Sequence, residues 1–160
     1  MKDQIIKRSI TELQNNGLKF SIDEVAKSLK ISKKTIYKYF STKEELAVAI
    51  YKTFYDEAIN QIESLENICS EKSVLTQMLT VYFQSHCMIR KDIFNKYSLN
   101  DGIRRLAQNN HNKIKIRIQR QLPQTDQNTL MIILDGSLQQ LCETEGDSNK
   151  VIEKLVTFLC

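Results

Sequence analysis

The fold is decided by residues 21–46, which read SIDEVAKSLKISKKTIYKYFSTKEEL. The stretch opens on a capping box, in which Ser21 can accept a hydrogen bond from the amide of Glu24 and Glu24 can reach back, so a helix begins directly after the serine. Its apolar residues share one face until the interruption at residues 30–32, where Ser32 can cap another helix. Two short helices separated by three residues define a helix-turn-helix.

Small and apolar side chains predict how these two helices pack. Ala26 lies in the middle of the first helix and lets the second one cross it closely, while Ile36 and Phe40 close the joint. With Ile36 and Phe40 facing inward, a rotation of about 100° per residue turns Lys34 and Lys38 directly outward. The outer face of the second helix is therefore expected to be basic.

Helix signals continue on both sides of this pair. Upstream, apolar residues at helical spacing stop at the dipeptide Asn16-Gly17, a usual helix ending. Downstream, Thr42 and Glu45 form a second capping box, from which a long helix is predicted to run. One proline and four glycines in 160 residues leave few helix breakers, so the sequence predicts an all-α protein.

Charge is distributed unevenly along the chain. Residues 27–43 contain six lysines and no acid, and residues 1–55 hold 11 basic against 6 acidic side chains. Like charges four residues apart, as in Lys34 and Lys38, cost a few tenths of a kcal/mol on an isolated helix. DNA phosphates would turn that repulsion into attraction through counterion release. A solvated basic face is the alternative, and the capped helix-turn-helix around the lysines favours DNA.

The same stretch resembles the DNA-binding segment of the TetR family of bacterial repressors. The matching features are a serine cap and Val25-Ala26 in the middle of the first helix of the helix-turn-helix. They continue with Thr35-Ile36-Tyr37-Lys38-Tyr39-Phe40 in its second helix, the recognition helix, and with Thr42-Lys43-Glu44-Glu45-Leu46 at the start of the long helix that follows. The sequence departs from the family at Lys30, where glycine is frequent. We expect Lys30 to adopt a left-handed turn at a cost of roughly 1 kcal/mol.

The resemblance implies which side chains meet DNA. It makes Lys34 and Thr35 candidates for base edges, and it makes others candidates for phosphates. The predicted DNA-binding residues are Ser21, Lys33, Lys34, Thr35, Tyr37, Lys38, Tyr39 and Lys43. The implied partner is double-stranded DNA with an inverted-repeat operator, bound by a homodimer.

The rest of the chain is expected to be a helical effector and dimerisation domain. We predict a DNA-binding domain at residues 1–45 and a ligand-binding and dimerisation domain at residues 46–160. The family resemblance implies a small-molecule effector, and one helical stripe could line its pocket: Met78, Tyr82, Phe83, His86 and Arg90. His86 is either a polar anchor for that ligand or a core histidine bonded to a neighbour.

Two strongly apolar helices at the end of the chain predict the subunit interface. They offer more apolar surface than one subunit easily covers, and a symmetric dimer would bury it. The predicted interface residues are Leu130, Ile133, Leu134, Ser137, Leu138, Leu141, Val151, Ile152, Leu155 and Leu159.

Several other classes of protein are disfavoured. The four cysteines form no C-x-x-C pair and the two histidines lack a Glu-x-x-His motif, so we expect neither a metal nor a cofactor. No hydrolase or P-loop motif occurs, which argues against an enzyme. No apolar run is long enough for a signal segment or a membrane span, so we expect a cytoplasmic protein. The alternative function is a helical adaptor that uses a helix-turn-helix without DNA.

Overall fold

The computed structural model describes residues 1–16, 21–66, 68, 72–89, 101–122, 126–144 and 146–159, with the backbone alone for Asn16 and Cys142. These residues are almost all helical, as predicted, and no strand occurs among them. The helices are α1 (Lys2–Asn16), α2 (Ile22–Ser28), α3 (Lys33–Tyr39), α4 (Lys43–Glu66), α5 (Lys72–Met88), α6 (Asp101–Gln121), α7 (Gln127–Thr144) and α8 (Ser148–Leu159). In these ranges, no helix has the length and hydropathy to cross a membrane.

The chain divides into two compact units. The first comprises Met1–Asp56 and Met88–Gln108, and the second comprises Glu57–Cys87 and Asn109–Cys160. Helices α4 and α6 therefore each contribute residues to both units. The functional domains predicted at residues 1–45 and 46–160 stay a prediction, because compactness does not measure function.

Helix α1 supplies the apolar base of the helix-turn-helix. Ile5, Ile6 and Ile10 are buried on one face. Next to these residues, Arg8 donates to the hydroxyl of Ser28 at 2.8 Å and pairs with the buried Glu12. Because Ser28 is the last residue of α2, this contact ties α1 to the point where the chain turns toward α3.

The turn between α2 and α3 is a Schellman ending. The amide of Ile31 donates to the carbonyl of Ala26 at 3.0 Å, and the amide of Lys30 donates to the carbonyl of Lys27 at 3.1 Å. Lys30 has a φ of 55°, so the left-handed turn expected at this lysine is confirmed. The two hydrogen bonds fix the direction in which α3 leaves the turn.

Side-chain caps set the starts of α2, α3 and α4. Ser21 accepts a hydrogen bond from the amide three residues later at 3.2 Å, and Ser32 does the same for α3 at 3.0 Å. Thr42 caps α4 at 3.0 Å, and the carboxylate of Glu45 accepts from the amide of Ser41 at 2.7 Å. The predicted caps are therefore confirmed.

The second unit is built on apolar residues from its own helices. Fully buried side chains include Leu79 of α5, Ile114 and Ile118 of α6, and Leu134 and Leu138 of α7. The start of α8 is capped by the carboxylate of Asp147, which accepts from the amide of Asn149 at 3.1 Å. Gly146 precedes this cap, and a Cβ there would lie 3.0 Å from the side chain of Leu141, so the close approach of this loop favours glycine.

Candidate nucleic-acid interface

The outer face of α3 is basic. Ile36 is buried in the first unit, so Lys34 and Lys38 lie on the opposite side of α3, and Lys33 lies at its flank; all three lysines are exposed. Tyr39 is exposed at the end of the same helix. The inward and outward residues of α3 thus follow the helical rotation that the sequence predicts.

Thr35 and Tyr37 lie between the basic face and the core, and both are half-buried. The hydroxyl of Thr35 is 2.9 Å from the hydroxyl of Ser32, and the amide of Thr35 donates to the same serine oxygen at 3.0 Å. The Ser32 cap therefore contacts both the backbone and the side chain of Thr35.

Ser21 and Lys43 flank α3 at the starts of the neighbouring helices. The hydroxyl of Ser21 is half-buried and accepts the amide of Glu24, and it still has a hydrogen to donate. Lys43 is exposed at the first position of α4. Both side chains are available to a phosphate, although Glu44 and Glu45 place two acids in the same first turn of α4.

Two contacts near this face were not anticipated from the sequence. Lys33 forms an exposed ion pair with Asp23 of α2, with Nζ 3.0 Å from Oδ2. The ammonium of Lys2 lies 5.2 Å from the centre of the Phe40 ring, a cation–π contact between the start of α1 and the C-cap of α3. Both join residues far apart in sequence, and no local pattern signals them.

The residues predicted to line a ligand pocket divide by burial. Met78 and Tyr82 are buried in the second unit, whereas Phe83 and His86 are half-buried. Arg90 lies outside the described residues. A cavity of about 210 Å³ lies in the first unit, where Tyr51, Ile103 and their neighbours line it.

The two histidines of the chain meet in the second unit. His111 is 6% exposed, and its Nδ1 is 2.6 Å from the hydroxyl of Ser85. The Tyr82 ring stacks on His111 with centroids 5.0 Å apart, and the His86 ring meets it edge-on at 5.5 Å. His111 could have been predicted as a core residue, because Ala107, Ile114 and Ile118 repeat at helical spacing around it.

An acid and a base complete this histidine cluster. The hydroxyl of Tyr82 donates to Asp135 of α7, and Lys115 of α6 forms an ion pair with the same carboxylate. Burial, followed by the hydrogen bond and charge of Asp135, raises the pKa of Tyr82. The hydroxyl therefore stays protonated and keeps donating. Among the described residues, no three His, Cys, Asp or Glu side chains are grouped to hold a metal.

Two basic residues of α6 form ion pairs with other helices. Besides Lys115, Arg117 donates to Glu66 at 2.5 Å and to Glu63 at 2.6 Å, near the end of α4. These two charges therefore have a structural use within the second unit.

The predicted interface residues also divide by burial. Five are buried within the second unit, four are half-buried and Ile133 is exposed; the buried ones are Leu134, Leu138, Leu141, Ile152 and Leu155. The most exposed apolar side chains of α7 and α8 are Ile132, at 72%, and Phe158, at 64%. Sequence periodicity identified the apolar helices, but it did not distinguish the apolar residues that are buried within the subunit from those that are exposed on its surface.

A family model of known regulators matches the helix-turn-helix. The family is described as bacterial regulatory proteins, tetR family, and its model matches residues 5–50. The match covers the N-terminal segment of the chain, which is therefore similar to this family. The resemblance identified from residues 21–46 is thereby confirmed. No match to the sequence is found among curated proteins.

Solved TetR-family structures share the fold along nearly the whole chain. A TetR/AcrR-family transcriptional regulator from Aquifex aeolicus VF5 is 23% identical, with a TM-score of 0.63, over 99% of this chain and 96% of that chain. A TetR-family regulator from Bordetella parapertussis 12822 is 16% identical, with a TM-score of 0.64, over 99% and 93%. The multidrug binding protein EbrR complexed with ethidium is 15% identical, with a TM-score of 0.57, over 99% and 97%. The chain therefore has the fold of a TetR-family transcriptional regulator.

The histidine cluster makes a prediction about pH. Burial, with a smaller contribution from His86, lowers the pKa of His111 from 6.5 to about 4, and Asp135 opposes the shift. Protonation then favours the unfolded chain, so the stability due to this residue is complete above pH 6.5 and is lost as the pH falls toward 4. Between pH 7 and pH 5 the loss should be about 2 kcal/mol.

The matched control is His111→Asn, which keeps a polar side chain beside Ser85 and removes the titration. Urea unfolding at pH 5, 6 and 7 should give a smaller loss of stability in the variant than in the wild type. Equal losses in the two proteins would mean that His111 does not titrate as its burial requires.

Proposed function

We propose that this protein is a DNA-binding transcriptional regulator, a homodimer released from its operator by a small-molecule effector. The observation that carries the proposal is the outer face of α3, where Lys34 and Lys38 are exposed beside Thr35 in a region without acids between residues 27 and 43. Such a face repels itself in the free protein and gains a partner in the phosphates of a duplex.

The alternative of a helical adaptor explains less. An adaptor has no need of an acid-free basic surface around the second helix of a helix-turn-helix, whereas a DNA reader uses it for both affinity and register. A regulator that binds a bacterial chromosome acts in the cytoplasm, which is the location we propose. An enzyme is not proposed, since neither the sequence motifs nor the histidine cluster suggests a nucleophile with a substrate cleft.

DNA binding is tested by removing the outward lysines one at a time. Lys34→Ala and Lys38→Ala should each weaken binding to a selected operator and reduce its salt dependence. In a homodimer each substitution removes two positive charges from the proposed DNA-binding surface, so the slope of log affinity against log salt should fall by about 2. The measurement is fluorescence anisotropy with labelled duplex at several salt concentrations.

The control is Lys72→Ala, at the exposed start of α5, which removes the same charge elsewhere. It should change the slope little, and all three variants should melt near the wild-type temperature because the lysines are exposed. Unchanged affinity in both α3 variants would remove the assignment of this helix.

Homodimerisation is supported by apolar surface on the last two helices. Ile132 and Ile133 of α7 are exposed, and a Cβ on the neighbouring Gly136 would meet nothing within 4 Å. On α8, Phe158 is exposed, and a shallow concavity of about 330 Å³ is lined by Val151 and Leu155 together with two lysines. A second copy would remove this surface from water, and two-fold symmetry in the protein would call for an inverted repeat in the DNA.

The dimer is tested at exposed positions. Ile132→Glu and Phe158→Glu should each produce a folded monomer, because each places a charge in the proposed interface at a site that is open in the single subunit. Leu138→Glu is unsuitable, since Leu138 is 0% exposed and a charge there would unfold the subunit. The measurement is sedimentation velocity at micromolar concentration.

Ile116→Glu is the matched control, because Ile116 is also a half-exposed apolar residue but lies on α6. It should leave the assembly unchanged. A monomeric wild type, or dimers in both interface variants, would contradict the proposed interface.

Effector control is supported by the connection between the histidine cluster and α4. Arg117, on the same helix as His111 and Lys115, binds two carboxylates at the end of α4. Helix α4 runs without a break back to the Thr42 cap that follows α3. A ligand that shifts α6 would therefore act on the helix that leads to the recognition helix. EbrR, a structural neighbour, is described as binding ethidium.

An effector is expected to raise the melting temperature of the protein. It should also weaken DNA binding by about 5- to 150-fold, and bound DNA should weaken the binding of the effector by the same factor. A panel of planar aromatic cations and carboxylates would be screened by thermal shift. Phe83→Ala should reduce the affinity of a hit, and Val151→Ala should not. Equal ligand affinities with and without operator would show that the compound is not an effector.

A further inference from the structure

The first turn of α3 contains a hydroxyl pair that bears on base recognition. In a helix-turn-helix, the residues at the start of the recognition helix approach base edges most closely. Thr35 is the third residue of α3, and its neighbours on the outer face are long lysines. Thr35 has a short side chain, so it can read a base only by direct contact, through either its hydroxyl or its methyl group.

The hydroxyl of Thr35 is already engaged. It lies 2.9 Å from the hydroxyl of Ser32, whose oxygen also accepts the amide of Thr35 at 3.0 Å. Ser32 is the N-cap of α3, with φ −81° and ψ 153°, so its position is fixed by the start of the helix. The bond to Ser32 leaves the Thr35 hydroxyl with further hydrogen-bonding capacity, but it fixes the direction in which the oxygen points.

The engaged hydroxyl also fixes the methyl group. Threonine is branched at Cβ, so one torsion angle sets the positions of both substituents. With the oxygen turned toward Ser32, the γ-methyl occupies a different staggered position at the side of α3. In the major groove, the base that offers an apolar partner is thymine, through its 5-methyl group.

We propose that Thr35 recognises a thymine in each operator half-site by contact between its γ-methyl group and the thymine 5-methyl group. The Ser32 hydroxyl holds the Thr35 side chain in the required orientation. This inference rests on the proposed function, because it names the base feature that the DNA-binding face reads. It assigns Lys34 and Lys38 to affinity and Thr35 to sequence.

The test uses the full chain and an operator obtained by selection from random duplexes. Each thymine is replaced in turn by deoxyuracil, which removes the 5-methyl group and leaves base pairing intact. One position per half-site should weaken wild-type binding by about fourfold, the ratio expected for one methyl group lost from an apolar contact. The measurement is competition binding against the unmodified operator.

Two variants of Thr35 separate the methyl group from the hydroxyl. Thr35→Val carries a methyl group on both branches of Cβ, so it presents a methyl group without the bond to Ser32 and should show the same sensitivity to deoxyuracil at that position. Thr35→Ser keeps the hydroxyl and should bind the thymine operator about fourfold more weakly per half-site, with no further loss on deoxyuracil. Lys34→Ala is the control on the same helix, and it should weaken both operators alike.

The outcomes distinguish this inference from the proposed function. If no duplex is selected, both are overturned. If an operator is selected and Thr35→Ser retains the sensitivity to deoxyuracil while Thr35→Val loses affinity for both operators, the hydroxyl is the reader and this inference alone is wrong. An operator at which no single deoxyuracil weakens the wild type would overturn it as well.

Discussion

The arrangement of the proposed DNA-binding surface depends on one turn, the Schellman ending of α2. Two backbone hydrogen bonds, from Ile31 to Ala26 and from Lys30 to Lys27, set the direction of the chain before α3 begins, and Lys30 must hold a left-handed conformation for both to form. Once the turn is set and Ile36 is buried, the helical rotation leaves no choice about which side chains of α3 face outward. A strained lysine in place of glycine is tolerated here because the backbone bonds, the Ser32 cap and the Arg8–Ser28 contact hold the joint together.

The positive charge of this surface is arranged with few internal partners. Lys33 pairs with Asp23, but both side chains are exposed, and such pairs contribute about 0.2–1 kcal/mol at most. Lys34 and Lys38 repel each other by a similarly small amount. Neither effect decides whether the domain folds, since burial of apolar residues such as Ile5, Val25 and Ile36 is worth several times more. The repulsion among the lysines therefore costs the folded domain little stability, so the basic face is compatible with folding and with the proposed binding of DNA.

Local features could be predicted from the sequence, and long-range contacts could not. The starts of α2, α3 and α4 follow from caps that act over three residues. The left-handed conformation of Lys30 could be predicted because the similar family often has glycine at that position. The pairing of Lys33 with Asp23 and the meeting of His86 with His111 depend on how helices cross, which periodicity does not report. For the same reason, the apolar stripe of α7 did not reveal that Leu134 and Leu138 lie inside the subunit whereas Ile132 is open to solvent.

Helix α4 contributes residues to both compact units, and directional polar contacts hold it within each of them. In the second unit, one guanidinium, that of Arg117, binds the carboxylates of both Glu63 and Glu66. In the first unit, the buried hydroxyl of Tyr51 donates to the carbonyl of Met88 at 2.9 Å. Apolar burial alone leaves a helix free to slide or rotate slightly, whereas these contacts require specific donors and acceptors to stay opposite each other. Each half of α4 is therefore positioned within its own unit by polar contacts as well as by buried residues such as Phe54 and Ile62.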